Sequence, residues 1–200
     1  LDLHVHGGGG ADTMDATPDA LRTLCRLHAR HGTTGLLATT MTQSRTAIDA
    51  ALACAGAAAR DGAAFCPDGA QVLGIHLEGP YISPEKPGAQ PREFVRDHDP
   101  DEFDRWLALA DGALLRITLA PERPGADALL ARCRDEGIAV ALADTDADAA
   151  LIRAVLDRMP CAATHLFNAM NGIHHRKPGP VPVFCTHPAA HVELICDGHH

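Results

Sequence analysis

The stretch Val72-Leu73-Gly74-Ile75-His76-Leu77-Glu78-Gly79-Pro80-Tyr81 opens as a buried strand and closes on a carboxylate. Mostly apolar residues lead to His76 and Glu78, and Gly79-Pro80 then stops the ladder. Glycine allows an unusual backbone and proline lacks the donor a strand needs. Glu78 is therefore expected at the carboxyl end of a strand, where parallel α/β folds carry their chemistry. Taken alone, the stretch reads as well as a strand followed by a solvated turn acid. The choice depends on how the other strands end.

Leu1-Asp2-Leu3-His4-Val5-His6 alternates apolar and polar residues, which predicts a strand. Its period of two puts His4 and His6 on one face, about 7 Å apart along the strand. Two imidazoles so placed can share a metal, or form a solvated pair. The glycines from Gly7 to Gly10 let backbone approach a site closely. Thr17-Pro18-Asp19 is a helix start, with cap, proline and acid in order, and Gly32 is a plausible stop. A second strand is expected over Gly35–Thr40 and an alanine-rich helix over Ser44–Arg60. After Glu78 comes a long polar loop, Ile82–Asp99, of the kind that is usually functional or disordered.

Helix Asp101–Ala110, strand Leu114–Leu119, helix Ala126–Glu136 and strand Ile138–Leu142 follow, the last running into Ala143-Asp144. Helix Ala147–Arg158 leads to strand Cys161–His165, which is expected to end on its histidine. A proline-rich loop carries His174-His175-Arg176-Lys177, and a seventh strand is expected over Val192–Cys196. The repeating strand and helix imply a parallel sheet with right-handed crossovers. Seven such strands suit an incomplete (β/α)8 barrel in a single domain over residues 1–200. A doubly wound sheet is the alternative, but it normally carries a Gly-rich phosphate turn after strand one, where this chain has His-Val-His. In a barrel, the strand ends carrying His4, His6, Glu78, Asp144 and His165 would converge on one face.

Composition narrows the classes. Hydrophobic residues make up 46% and charged residues 22%, as in globular proteins. A formal charge of −9 disfavours a nucleic-acid partner. No apolar run is long enough to span a membrane, and the opening residues lack a basic leader pattern. Seven scattered cysteines without a CxxC fit reduced thiols in a cytoplasmic setting.

Histidines with carboxylates suit zinc or another divalent metal. Such a site polarises a carbonyl and acidifies water, so hydrolysis of an amide, imide or ester is the natural reaction. A base must still carry the proton to the leaving nitrogen. No GxSxG is present. The His174–Lys177 segment is cationic on an acidic chain; an arginine fork with histidine help suits a phosphate, and a solvated basic loop is the plain alternative.

His4-Val5-His6-Gly7, His76-Leu77-Glu78-Gly79-Pro80-Tyr81, Thr164-His165-Leu166-Phe167-Asn168-Ala169-Met170 and Asp197-Gly198-His199-His200 together resemble the N-acetylglucosamine-6-phosphate deacetylase family of the amidohydrolase superfamily. The resemblance spans nearly the whole chain, in the family's order. It implies a (β/α)8 barrel plus a small β-sandwich, zinc as one or two ions, a cytoplasmic homodimer, and release of acetate from N-acetylglucosamine 6-phosphate in amino-sugar metabolism. By position it implies Glu78 and His165 as metal ligands, with His4 and His6 as the pair found in members holding a second metal. Ala89, Asn168, Ala169, Arg176, Asp197 and His200 match sugar-phosphate contacts, with Arg176 and His200 on the phosphate across a dimer interface.

Two departures stand out. Ala143-Asp144 replaces the family's Gly-His, so Asp144 takes the place of a ligand histidine. Strand eight, with the family's catalytic aspartate, and the β-sandwich are expected outside residues 1–200. The alternatives are a deacetylase for another N-acetyl amino-sugar phosphate, or a sugar-phosphate binder whose altered metal site no longer turns over.

Overall fold

A computed structural model describes residues 1–200. The chain forms two compact units, Leu1–Glu78 with Asp99–Arg116, and Gly79–His98 with Ile117–His200.

The first unit starts with β1 (Asp2–Val5) and a small antiparallel hairpin, β2 (Gly7–Gly8) with β3 (Ala11–Asp12). Helix α1 (Pro18–Arg30) begins where the sequence expects, with Thr17 Oγ1 accepting from Ala20 N. Its apolar face buries Leu21, Leu24 and Cys25, each large aliphatic contributing about 1.5–3 kcal/mol. Strand β4 (Gly35–Thr39) is buried along its whole length. Helix α2 (Arg45–Asp61) is capped by Ser44. Strand β5 (Gln71–Glu78) ends on Glu78, as read. Helix α3 (Pro100–Ala110) is capped by Asp99, and its buried Trp106 donates Nε1–H to Asp49 Oδ1 at 3.0 Å. The pairs β1–β4 and β4–β5 are parallel.

Strand β6 (Leu114–Leu119) gives its first half to this unit and its second half to the next. The second unit adds α4 (Ala126–Glu136), stopped by left-handed Gly137, and β7 (Ala139–Leu142). Then come α5 (Ala149–Leu156), capped by Asp148, β8 (Cys161–Ala163), α6 (Val181–Thr186) and β9 (Ala190–Val192). The pairs β7–β8 and β8–β9 are parallel. The long connection after Glu78 also belongs here. It holds one 3-10 turn (Arg92–Phe94) and is fixed by Ser83 N donating to Asp144 O at 2.7 Å and Arg96 N to Pro80 O at 3.1 Å.

Strand order is β1-β4-β5-β6-β7-β8-β9. Every crossover leads to the next neighbour, as in a (β/α)8 barrel; a doubly wound sheet reverses direction partway. The fold is seven units of that barrel. No helix is long and apolar enough to cross a membrane.

Three expectations need correction. Strand β8 stops at Ala163, so His165 lies in the turn beyond it. The last strand lies over Ala190–Val192 rather than Val192–Cys196, because Ala190, His191 and Val192 pair with Cys161, Ala162 and Ala163; Leu194 and Ile195 stay exposed. Helix α6 falls within the segment read as a proline-rich loop. Its prolines sit at the start, where a missing N–H costs nothing.

Candidate metal and sugar-phosphate site

In the first unit β1 brings His4 and His6 against the end of β5. The two Nε2 atoms are 3.0 Å apart, and the rings meet edge to face. Glu78 is 2% exposed and turns one oxygen to each ring: Oε1 lies 3.1 Å from His4 Nε2 and Oε2 lies 3.0 Å from His6 Nε2. One ligand atom from each of the three residues falls within 4.8 Å of the others. Donors bound to one tetrahedral cation at about 2.1 Å stand about 3.4 Å apart. The set therefore fits a divalent cation with only small movement, and two neutral nitrogens with a carboxylate are the donors zinc-type ions take.

In the absence of a cation, Glu78 sets the local charge. Burial pulls the His6 imidazolium down, but the hydrogen bond and charge of Glu78, with help from Asp12, more than offset it and leave His6 above its ordinary value. His76, in the same strand as Glu78, is completely buried. Burial, aided by His4, drives its value far below normal, so it is neutral. Its Nδ1 donates to Leu3 O at 3.1 Å.

In the second unit Asp144 lies two residues beyond β7 and His165 two residues beyond β8. His165 Nε2 lies 3.6 Å from Asp144 Oδ2, and Asp144 is 1% exposed. Both are left-handed, with φ of 46° and 37°, as are Phe167 (81°) and Ala169 (48°). Such values are uncommon outside glycine and cluster at functional sites. The turn is held from several sides. Asn168 N donates to His165 O at 2.9 Å, Leu166 N to Glu193 O at 2.8 Å and Thr145 N to Ala169 O at 3.1 Å. Glu122, which the sequence reading passed over, accepts from Thr145 Oγ1 at 2.6 Å and from Asp146 N at 2.7 Å. No motif marks it; an acid shortly after a strand end was the available signal.

The remaining expected contacts all lie in this unit. Ala89 is exposed beside Gly88, and a Cβ on Gly88 would meet Ala169 Cβ at 3.0 Å and Asp144 Oδ1 at 3.3 Å. Arg176 is exposed in a cleft of about 930 Å³, together with His174, Lys177, Asn171, Asp146 and Asp148. Asp197 Oδ1 accepts from His200 N and His199 N at 3.0 and 2.9 Å, and its Oδ2 lies 2.8 Å from His200 Nδ1. These bonds, the His200 amide foremost, bring the Asp197 carboxyl down to about 2.

No family model matches the chain. It is 42% identical over 202 residues to N-acetylglucosamine-6-phosphate deacetylase from Bacillus subtilis, covering all of this chain and 50% of that protein. It is 39% identical over 200 residues to N-acetylgalactosamine-6-phosphate deacetylase from Escherichia coli O157:H7, covering all of this chain and 52% of that one. Among solved structures, an N-acetyl-D-glucosamine-6-phosphate deacetylase variant from Mycobacterium smegmatis, in complex with N-acetyl-D-glucosamine-6-phosphate, superposes with a TM-score of 0.92 at 36% identity. That match covers all of this chain and 50% of the other. The resemblance read from the motifs thus holds over the whole chain, in sequence and in fold. The chain spans about half the length of the relatives it matches.

Proposed function

We propose that the protein to which these residues contribute hydrolyses the N-acetyl group of N-acetylglucosamine 6-phosphate, giving acetate and glucosamine 6-phosphate, with zinc as its cation. The observation that carries this reading is the buried Glu78 carboxylate aimed at two imidazoles, His4 and His6, within motifs that match such deacetylases. When bound, a divalent cation supplies the Lewis acidity that amide hydrolysis by water requires. Glu78 contributes the anionic charge, and His4 and His6 the neutral nitrogens. Within the second unit, Asp144 and His165 are the candidate ligands. A base must still carry the proton from water to the leaving amine.

The sugar phosphate takes the other residues. Arg176 offers a planar fork to the phosphate, with His174 and Lys177 in the same cleft. Asp197 holds His200 Nδ1, so Nε2 is the ring's remaining polar atom for an anion. Asn168, Ala169 and Ala89 bound the sugar. The working protein is a cytoplasmic homodimer in which Arg176 and His200 meet the phosphate across the interface.

Acetate release tests the reading, measured on the longer protein with zinc and both the gluco and galacto substrates. Turnover of the gluco compound is expected. Preference for the galacto compound would move the substrate to its epimer, and acetate from neither would remove the activity.

Asp144 favours a second reading, an impaired site. An aspartate falls about one bond short of where a histidine nitrogen reaches, and its charge weakens a cation's Lewis acidity. Asp144→His is then expected to raise acetate release about tenfold or more at matched zinc content. A slower histidine variant would mark Asp144 as a working ligand.

A further inference from the structure

Strand β1 is not regular. Asp2 pairs with Leu36 and Val5 with Ala38, so three steps along β1 run beside two along β4. One extra residue on one strand is a bulge, which re-aims side chains and leaves backbone groups outside the ladder. Three side chains take up those groups. Asp2 Oδ1 accepts from His4 N at 3.1 Å, His76 Nδ1 donates to Leu3 O at 3.1 Å, and Thr39 Oγ1 accepts from Val5 N at 2.8 Å. Thr39 is fully buried, and its own hydroxyl proton goes to Leu37 O at 3.2 Å. That bond turns an oxygen lone pair toward Val5, the residue between the two histidines.

We propose that Thr39 is a positioning residue for the cation site: by accepting from the Val5 amide, its hydroxyl fixes the bulge on which His4 and His6 converge. This rests on the reading that His4, His6 and Glu78 hold a divalent cation. Thr39 touches neither cation nor substrate and acts through β1. The hydroxyl is what matters, since valine has the same shape and suits a strand. Valine would leave the Val5 N–H buried without an acceptor. Closing the bulge by one residue then satisfies the ladder, but it turns the side chains before it to the opposite face. His4 leaves Glu78 while His6 stays.

The test is a cobalt(II) titration of the full protein, followed by visible absorption, which reports ligand number and geometry. Thr39→Val is expected to weaken cobalt binding about ten- to a hundredfold, the range for lost supporting contacts at metal sites, and to alter the absorption bands. Thr39→Ser is expected to restore both. A merely structural role would lower the melting temperature and leave the affinity and spectrum of the folded protein unchanged, which overturns the proposal. Should the valine variant not fold, Thr39→Ala against Thr39→Ser gives the same comparison: weaker binding for alanine supports the role, equal binding overturns it. Unaltered protein that binds no cobalt would remove the cation site itself. Tight wild-type binding with no difference among the variants would remove only the role of Thr39.

Discussion

Gly56 sits in the interior of α2, where helix propensity says alanine should be better by about 1 kcal/mol. The structure predicts the opposite sign. A Cβ on Gly56 would lie 2.8 Å from Ala110 O, 3.2 Å from Ala110 C and 3.3 Å from Leu109 O, all backbone at the end of α3. Ordinary contact requires α3 to retreat by a few tenths of an ångström. It is not free to do so. Ala110 O accepts from Ala113 N at 2.9 Å, and Ala113 O accepts from Ile75 N of β5 at 2.8 Å. Overpacking a fixed core costs about 1–3 kcal/mol, with rigid backbone at the upper end. Subtracting the propensity gain leaves Gly56→Ala destabilising by about 1–2 kcal/mol. For a chain of this size, that lowers the melting temperature by roughly 2–8 °C. Urea unfolding measures it as a fall in midpoint at constant slope. Ala53→Gly, at an exposed position of the same helix, calibrates the propensity term alone. A Gly56→Ala protein with a higher midpoint would show that α3 yields freely and that the packing argument is wrong.

Other outcomes follow from the site. Glu78→Gln keeps shape but removes the ligand charge, so zinc affinity should drop by about tenfold or more; full zinc retention on dialysis would exclude Glu78 as a ligand. Arg176→Ala should weaken the phosphorylated substrate about ten- to a hundredfold, as expected for loss of a charge-assisted pair worth about 1.5–3 kcal/mol. The unphosphorylated sugar should be nearly unaffected, and equal losses would point to a structural role instead. The Asp197 carboxyl is held down at about 2, so its turn with His200 is fully favoured above the unfolded value near 3.9 and is lost as pH falls through about 2. A carbon-13 titration of that carboxyl with a midpoint near 4 would mean the turn does not form in solution.

Much of the fold was legible because its signals are local. Thr17-Pro18 and Ser44 announce α1 and α2, and β6 and α4 lie over the residues expected from patterning alone. Glu78 at the end of β5 could be read because Gly79-Pro80 can only follow a strand there. What escaped depends on partners far along the chain. The apolar Leu194-Ile195-Cys196 looked like the last strand, yet pairing with β8 takes the three residues from Ala190 instead. Leu1 and Leu3 alternate as a buried face would, yet both remain exposed. The bulge in β1 left no mark either. It arises from bonds reaching from Thr39 and His76 to residues more than thirty positions away, and a period of two contains no trace of them. The histidines and Glu78 were therefore visible from sequence, while what aims them was not.

The left-handed residues Asp144, His165, Phe167 and Ala169 have a consequence for how this sequence can be varied. Each side chain at positive φ costs about 1–3 kcal/mol relative to a relaxed backbone, and glycine avoids most of that cost. A library at these four codons, screened for heat resistance alone, should drift toward glycine. The same library screened for cation binding should keep the original residue wherever the side chain serves the site and release it elsewhere. Phe167, which is exposed, is the codon expected to drift under both screens. Two sequencing runs would then separate strain kept for chemistry from strain that the fold merely tolerates.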